Sequence, residues 1–328
     1  MKANPYLVVL DFDGNLAQTF DPSPNGIDVG TAYQRAVESI FGKMGLKIYQ
    51  EIGGLQNRAP MELVVAILEA GDEENLTRIA SKYYYDHHNQ LNGLVSSEKA
   101  PAITWQTWDP VGAMTEILVR CKLFHLISEI GTNLPDGNKW PLPCPGALDF
   151  FKVIQNLQQG QGIDIKAAII SSGHDAFIRK TFEKAWKLPC PPILVTDDDM
   201  RGIKYRIAPK ETVKPSVTLF SLVHWMWFIS QFGPMFDNLQ LIGFATKNRK
   251  RMMYFGDDPV KDGRLAEAAE VPFGWFVPKD TDEEPNINCQ VVKFSDWRII
   301  AEHLSKTQTV ELLKNGRPFS EIIAPLCN

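Results

Sequence analysis

Asp11 and Asp13 stand one residue apart in Leu10-Asp11-Phe12-Asp13-Gly14, directly after the apolar run Tyr6 to Leu10. Two carboxylates so close repel each other unless a cation or a proton is shared between them. The run before them is too short for a helix and reads as a strand buried on both faces. The pair therefore sits at a strand's carboxyl end, where open α/β sheets bind ligands. Taken alone, it reads equally well as a turn capped by Asx side chains. Three further elements change that balance. Ser171-Ser172-Gly173 ends a later apolar run and offers a hydroxyl and backbone amides beside a helix start, a ready anion site. Lys214 precedes Pro215-Ser216 and opens an apolar helix, where an ammonium is unfavourable without an anion nearby. Gly256-Asp257-Asp258 ends another run, and Asp262 follows. Carboxylates from two strand ends make a hard, oxygen-rich set of the kind Mg²⁺ prefers. Four elements in this order, each at a strand end or helix start, share no dull explanation.

The elements that must position these residues are legible as alternating patterns. Ala167 to Ile170, Ile193 to Val195, Met252 to Phe255 and Gly274 to Val277 repeat the strand character of Tyr6 to Leu10. Between them lie helical patterns: Leu148, Phe151, Ile154 and Leu157; Ile178, Phe182 and Ala185; Leu265, Ala268 and Ala269. Strands alternating with helices predict an α/β fold, a parallel sheet with helices on both faces. The long gap after the first strand is helical in pattern. Tyr33, Val37, Ile40 and Phe41 share a face, as do Val64, Ile67 and Leu68, then Leu76, Ile79 and Tyr83, then Met114, Ile117, Cys121 and Phe124. This predicts an inserted α-helical domain, entered through Asp21-Pro22-Ser23-Pro24-Asn25-Gly26 and left through Pro141 to Gly146. The tail after Ser305 reads as a helical appendage.

Composition narrows the function. Lys plus Arg total 34 against 39 Asp plus Glu, a net charge of −5, which argues against a nucleic-acid coat or a polybasic membrane binder. The basic run Lys247-Asn248-Arg249-Lys250-Arg251 reads as a solvated strand entrance rather than a nucleic-acid patch. The five cysteines lie far apart without a Cys-x-x-Cys, which suits reduced thiols in a cytoplasmic protein. The start, MKANPYLVVLDFDGN, lacks the pattern of a signal peptide. Val217 to Phe236 carries no Asp, Glu, Lys or Arg, but Gly233-Pro234 interrupts it. It reads as one buried helix of about four turns rather than a membrane span. Its aromatic surplus, near 217–232, would suit a homo-oligomer interface.

The four elements together resemble the haloacid dehalogenase superfamily of phosphotransferases. Asp11-Phe12-Asp13 resembles its first motif, Ser171 its second, Lys214 its third, and Gly256, Asp257 and Asp262 its fourth. The inserted helices occupy the slot where phosphoglycolate-phosphatase and β-phosphoglucomutase-like members carry a cap, and Pro145-Gly146 resembles the usual return from it. The resemblance extends to about residue 304. Asn15 departs from the family's usual Thr or Val, Lys210 competes with Lys214, and Asp258 competes with its neighbours for the metal.

That resemblance implies a Rossmann-like parallel sheet built from residues 1–20 and 141–304, a helical cap over 21–140, and a C-terminal helical extension over 305–328. It implies a Mg²⁺-dependent phosphatase acting on a small phosphorylated metabolite, with no nucleic-acid or membrane partner. Asp11 would be the nucleophile and Asp13 the general acid and base. Ser171, Ser172 and Lys214 would bind the phosphoryl group, while Asp11, Asp13 (through its backbone carbonyl), Asp257 and Asp262 would serve the metal. A phosphomutase with the same residues, or a catalytically weak binding or scaffold protein, are the alternatives. Dehalogenation fits less well, because Asp13 supplies an acid that such members lack. In Gly53-Gly54-Leu55-Gln56-Asn57-Arg58, the glycines permit a close approach and Arg58 is a bidentate anion donor that would touch the substrate.

Overall fold

The computed structural model of the chain describes residues 5–55, 59–95, 103, 105, 109–199, 214–233, 238–279 and 284–327. The run Tyr6–Leu10 forms strand β1, and all five of its residues are buried. Its neighbours are β4 (Ile165–Ile170) on one side and β6 (Met252–Gly256) on the other, both parallel to it. Beyond β4 lies β5 (Ile193–Val195); beyond β6 lie β7 (Phe273–Phe276) and β8 (Val291–Phe294). The resulting six-stranded order, β5-β4-β1-β6-β7-β8, is parallel at every pairing. The chain runs outward from β1 first to one edge and then to the other. The strand order thus reverses beside β1, and ligands bind at such a reversal. A small antiparallel pair, β2 (Ala17–Gln18) with β3 (Leu142–Pro143), stands apart from the main sheet.

The chain divides into two compact units, one of residues Met1–Gln18, Leu142–Gly173 and Leu188–Asn328, the other of Thr19–Pro141 and His174–Lys187. The first contains the sheet. Its helices are α5 (Ala147–Gln159), α7 (Thr218–Phe232), α8 (Asn238–Asn248), α9 (Arg264–Ala268), α10 (Trp297–Ser305), α11 (Thr307–Lys314) and α12 (Phe319–Ile323). Helix α7 is the uncharged stretch, and it ends where Gly233 takes a φ of +81°, a conformation that favours glycine. It buries Leu219, Phe220, Val223, Trp227 and Phe228 against the sheet and leaves Trp225 and Phe232 exposed. Among the described residues no helix is long and apolar enough to cross a membrane. The basic run is spent locally: Arg249 pairs with Glu270, and Arg251 donates to Asn248 Oδ1 at 3.1 Å and to the Gly316 carbonyl at 3.2 Å.

The second unit is helical. It holds α1 (Val29–Glu51, broken at Gly42), α2 (Pro60–Ala70), α3 (Glu73–Asn92), α4 (Pro110–Glu129) and α6 (Asp175–Lys180), the last continuing into a π-helical turn over Thr181–Trp186. Its core gathers the predicted faces: Tyr33, Val37, Ile40 and Phe41 of α1, Val64, Ile67 and Leu68 of α2, Leu76 of α3, and Met114, Ile117 and Cys121 of α4. Helix α4 is buried nearly all round, and only Phe124 of its predicted face is exposed.

The C-terminal helices are fastened to the amino end of β1. The Tyr6 hydroxyl donates to the Arg317 carbonyl at 2.7 Å, and its ring meets Phe319 edge-on at 5.4 Å. His303 of α10 hydrogen-bonds the Ile322 carbonyl at 2.7 Å. Phe319 is 1% exposed, so Phe319→Ala should cost about 3–5 kcal/mol through lost burial and the cavity left behind. Tyr6→Phe should cost about 1 kcal/mol, the net worth of one hydrogen bond. Denaturant titration of both variants checks the order; equal losses would mean the aromatic contact does not anchor the tail.

Candidate active site

The catalytic candidates collect at the carboxyl ends of three adjacent strands of the sheet unit. Asp11 and Asp13 follow β1, Ser171 follows β4, and Asp257 follows β6. The Asp11 amide donates to the Phe255 carbonyl at 2.8 Å, so the β1–β6 ladder extends to Asp11 itself. The backbone then turns sharply. Gly14 takes a φ of +77° and its amide donates to the Ala17 carbonyl at 2.9 Å. A Cβ at position 14 would lie 2.3 Å from Asp257 Oδ2, so glycine is required both by conformation and by the approach of that carboxylate.

Lys214 holds the centre of the site. Its Nζ stands 2.6 Å from Asp11 Oδ1 and 2.8 Å from Asp262 Oδ1, with all three side chains largely or wholly buried. Asp262 is engaged on both oxygens. Its Oδ1 also accepts from the Tyr254 hydroxyl at 2.8 Å, and its Oδ2 accepts from the Asp258 amide at 3.2 Å. A Cβ on Gly256 would lie 2.3 Å from that same Oδ2, which explains the glycine ahead of the acidic pair. Asp258 points elsewhere: its Oδ1 caps the following turn by accepting from the Val260 and Lys261 amides at 2.8 and 2.9 Å. That removes it from the contest for the metal.

Asp13 is drawn to the opposite strand. The Ser171 hydroxyl donates to Asp13 Oδ2 at 3.3 Å while accepting from the Gly173 amide at 2.9 Å. Ser172 is exposed, and Gly173 lies close to both side chains, with a Cβ there 3.1 Å from each. Arg58 and Lys210 lie outside the described residues.

Electrostatics follow from counting charges. Asp11, Asp257 and Asp262 can bring ligand oxygens within 4.8 Å of one another, and one ammonium faces three carboxylates. Burial, joined by the charge of Asp262, pushes the Asp257 carboxyl up to about 7. Asp11 is likewise raised, by burial first and by Asp262 and Asp257 next, with Lys214 drawing it back. Burial works against the Lys214 ammonium, but Asp11 and Asp262 more than offset it and hold its pKa above the usual value. The surplus negative charge is a demand for a cation. Hard carboxylate oxygens, clustered and under-neutralised, beside a glycine that lets Asp257 come close, fit a hard divalent ion.

Residues that the sequence reading missed or underrated hold the site from behind. Asn15 is fully buried; its Nδ2 donates to the Asp11 carbonyl at 2.9 Å and lies 3.4 Å from the Phe255 carbonyl. Trp297 of α10 donates from Nε1 to the Asn15 carbonyl at 2.8 Å and packs among Phe150, Phe255 and Phe294. Tyr254 lies within β6 and is fully buried. A tyrosine or tryptophan inside an apolar element needs a partner for its O–H or N–H, and that was the available signal.

No protein-family model matches the sequence, and no curated protein matches it. Solved structures do match. One is CbbY from Rhodobacter sphaeroides in complex with phosphate, at 14% identity and a TM-score of 0.48, covering 94% of this chain and 100% of that one. A HAD phosphatase from Thermococcus onnurineus matches at 13% identity and a TM-score of 0.42, covering 93% and 98%. A 2-haloacid dehalogenase from Pseudomonas syringae matches at 14% identity and a TM-score of 0.40, covering 91% and 97%. All are members of the haloacid dehalogenase superfamily, the family that the chain resembles in the order of its own motifs.

Proposed function

We propose that the chain is a Mg²⁺-dependent phosphatase that hydrolyses a small phosphate monoester through an aspartyl-phosphate intermediate. The observation that carries this reading is the Lys214 ammonium fixed between Asp11 and Asp262 at the carboxyl end of the central strand. It aims an Asp11 oxygen and favours its ionised form against the burial that raises the carboxyl's pKa, and a carboxylate nucleophile needs both. Asp11 attacks phosphorus, the bond from phosphorus to the leaving oxygen breaks, and Asp13 gives that oxygen its proton. Water then attacks the phosphoenzyme, Asp13 takes the water's proton, and inorganic phosphate departs with the Asp11 carboxylate restored. Lys214 and the Ser171 hydroxyl neutralise charge on the transferring oxygens. Asp11, Asp257 and the backbone carbonyl of Asp13 would hold the Mg²⁺, which when bound lowers the repulsion between nucleophile and anionic substrate. Asp262, engaged by Lys214, Tyr254 and the Asp258 amide, serves by orienting the lysine.

Asp11→Asn keeps the shape of the nucleophile and removes its reactivity. Turnover of an aryl phosphate should fall by at least about a thousandfold with the circular dichroism unchanged. Near-normal turnover in the folded variant would take Asp11 out of that role. Asp13→Ala should slow alkyl phosphates far more than aryl phosphates, because only poor leaving groups need protonation; equal losses on the two would leave Asp13 as a loop-shaping residue. Activity should vanish in excess chelator and return with Mg²⁺, and Asp257→Ala should raise the Mg²⁺ concentration needed for half-maximal rate. Full activity in chelator would sink the metal assignment.

A further inference from the structure

A cavity of about 470 Å³ lies at the amino edge of the sheet, the end away from Asp11 and Lys214. Pro5, just before β1, and Asp164, just before β4, line it together with the last turn of α7 and the outer face of α8. Its volume falls in the range of about 300–1,000 Å³ usual for small-molecule sites.

The wall is aromatic on one side. Phe228, Phe232 and Phe244 meet one another with ring centres 4.9, 5.4 and 5.7 Å apart, and Phe232 is 62% exposed, so a phenyl face stands open to the cavity. Gln231, on the same wall, has a sealed Nε2 with no hydrogen-bond partner. A buried donor left unanswered is costly, and an acceptor brought by a ligand relieves that cost. Gly243 lines the cavity from the middle of α8. A glycine inside a helix costs stability relative to alanine. Nothing in the packing demands it, since a Cβ there would meet no atom within 4 Å and its φ is not positive. What the missing side chain preserves is open space. Asp164 and Lys247 bring one charge of each sign to the same cavity, and among the described residues neither side chain has a partner. An interface with a second copy needs about 800 Å² from each partner, whereas these aromatic, polar and charged groups converge on one concave space.

We infer that this cavity binds a zwitterionic small molecule with a large apolar side chain, the chemistry of an aromatic α-amino acid. Its ring packs against the three phenylalanines, its carboxylate accepts from Lys247 and the Gln231 amide, and its ammonium donates to Asp164. The site shares no residue with Asp11, Lys214 and Asp262, and it stands or falls apart from the phosphatase reading.

Calorimetric titration of the full chain with L-tryptophan tests it, alongside indole-3-propanoate, which lacks the ammonium, and tryptamine, which lacks the carboxylate. L-tryptophan should bind the wild type at least roughly tenfold more tightly than either truncated compound, as expected when a charge-assisted hydrogen bond is lost. Lys247→Met and Asp164→Asn, which alter side chains without partners in the fold, should each weaken L-tryptophan by roughly tenfold. Lys247→Met should leave tryptamine unaffected, and Asp164→Asn should leave indole-3-propanoate unaffected. Gly243→Leu should fill the cavity and abolish binding of all three compounds with the circular dichroism unchanged. The proposal is overturned by no binding of L-tryptophan to the wild type, by binding no tighter than that of the truncated compounds, or by binding that survives Gly243→Leu or both charge variants. Sedimentation velocity reads the other occupant: a dimer that Gly243→Leu dissociates, with no tryptophan bound, would make this face an interface between copies and overturn the proposal as well.

Discussion

An ammonium buried between two carboxylates is the constraint on which the rest of the sheet unit depends. Lys214, Asp11 and Asp262 arrive from three separate stretches of chain, and none is tolerable in the interior without the others. Stranding one member of such a group typically costs about 3–5 kcal/mol, because the remaining charges stay buried without compensation. Tyr254 and the Asp258 amide fix Asp262, so the lysine's position is set in turn by β6 and the turn that follows it. The stability of the sheet's carboxyl edge and the aim of Asp11 are therefore the same physical fact.

A second constraint acts on the backbone after β1. The loop must turn within a few residues while Asp11 faces Lys214 and Asp13 faces Ser171. Gly14 supplies the left-handed turn, Asn15 ties the loop to the carbonyls of Asp11 and Phe255, and Trp297 ties Asn15 to the aromatic cluster behind the sheet. Precision at the site is thus borrowed from core packing, which is rigid because interiors are close-packed. The Asn at position 15 is a working part of that brace.

The helical unit shows a contrasting economy. Its central helix α4 carries charges into the interior and satisfies most of them locally, as Glu129 does by gathering Ser23 and Asn25. Such a helix gives a weak amphipathic signal, because apolar and charged positions alike are buried around most of its circumference. Periodicity marks the unit's apolar positions, and its buried charges are placed by the partners they find.

What the sequence determined by itself was local. The bounds of β1 and β5 and the four chemical elements followed from apolar runs, punctuation and spacing, because a strand buried on both faces must be continuously apolar. Strand β8 escaped notice because Val291 and Lys293 are not buried, so the run is interrupted. The sequence could name Asp258 and Asp262 as rivals; only the folded turn shows one capping amides and the other holding Lys214. Trp297 reaches Asn15 across a separation of 282 residues, and Asn15 reaches Phe255 across 240. No local pattern encodes such pairings. They arise when the sheet brings distant segments together, and each buried polar group then takes the partner that the fold puts within reach.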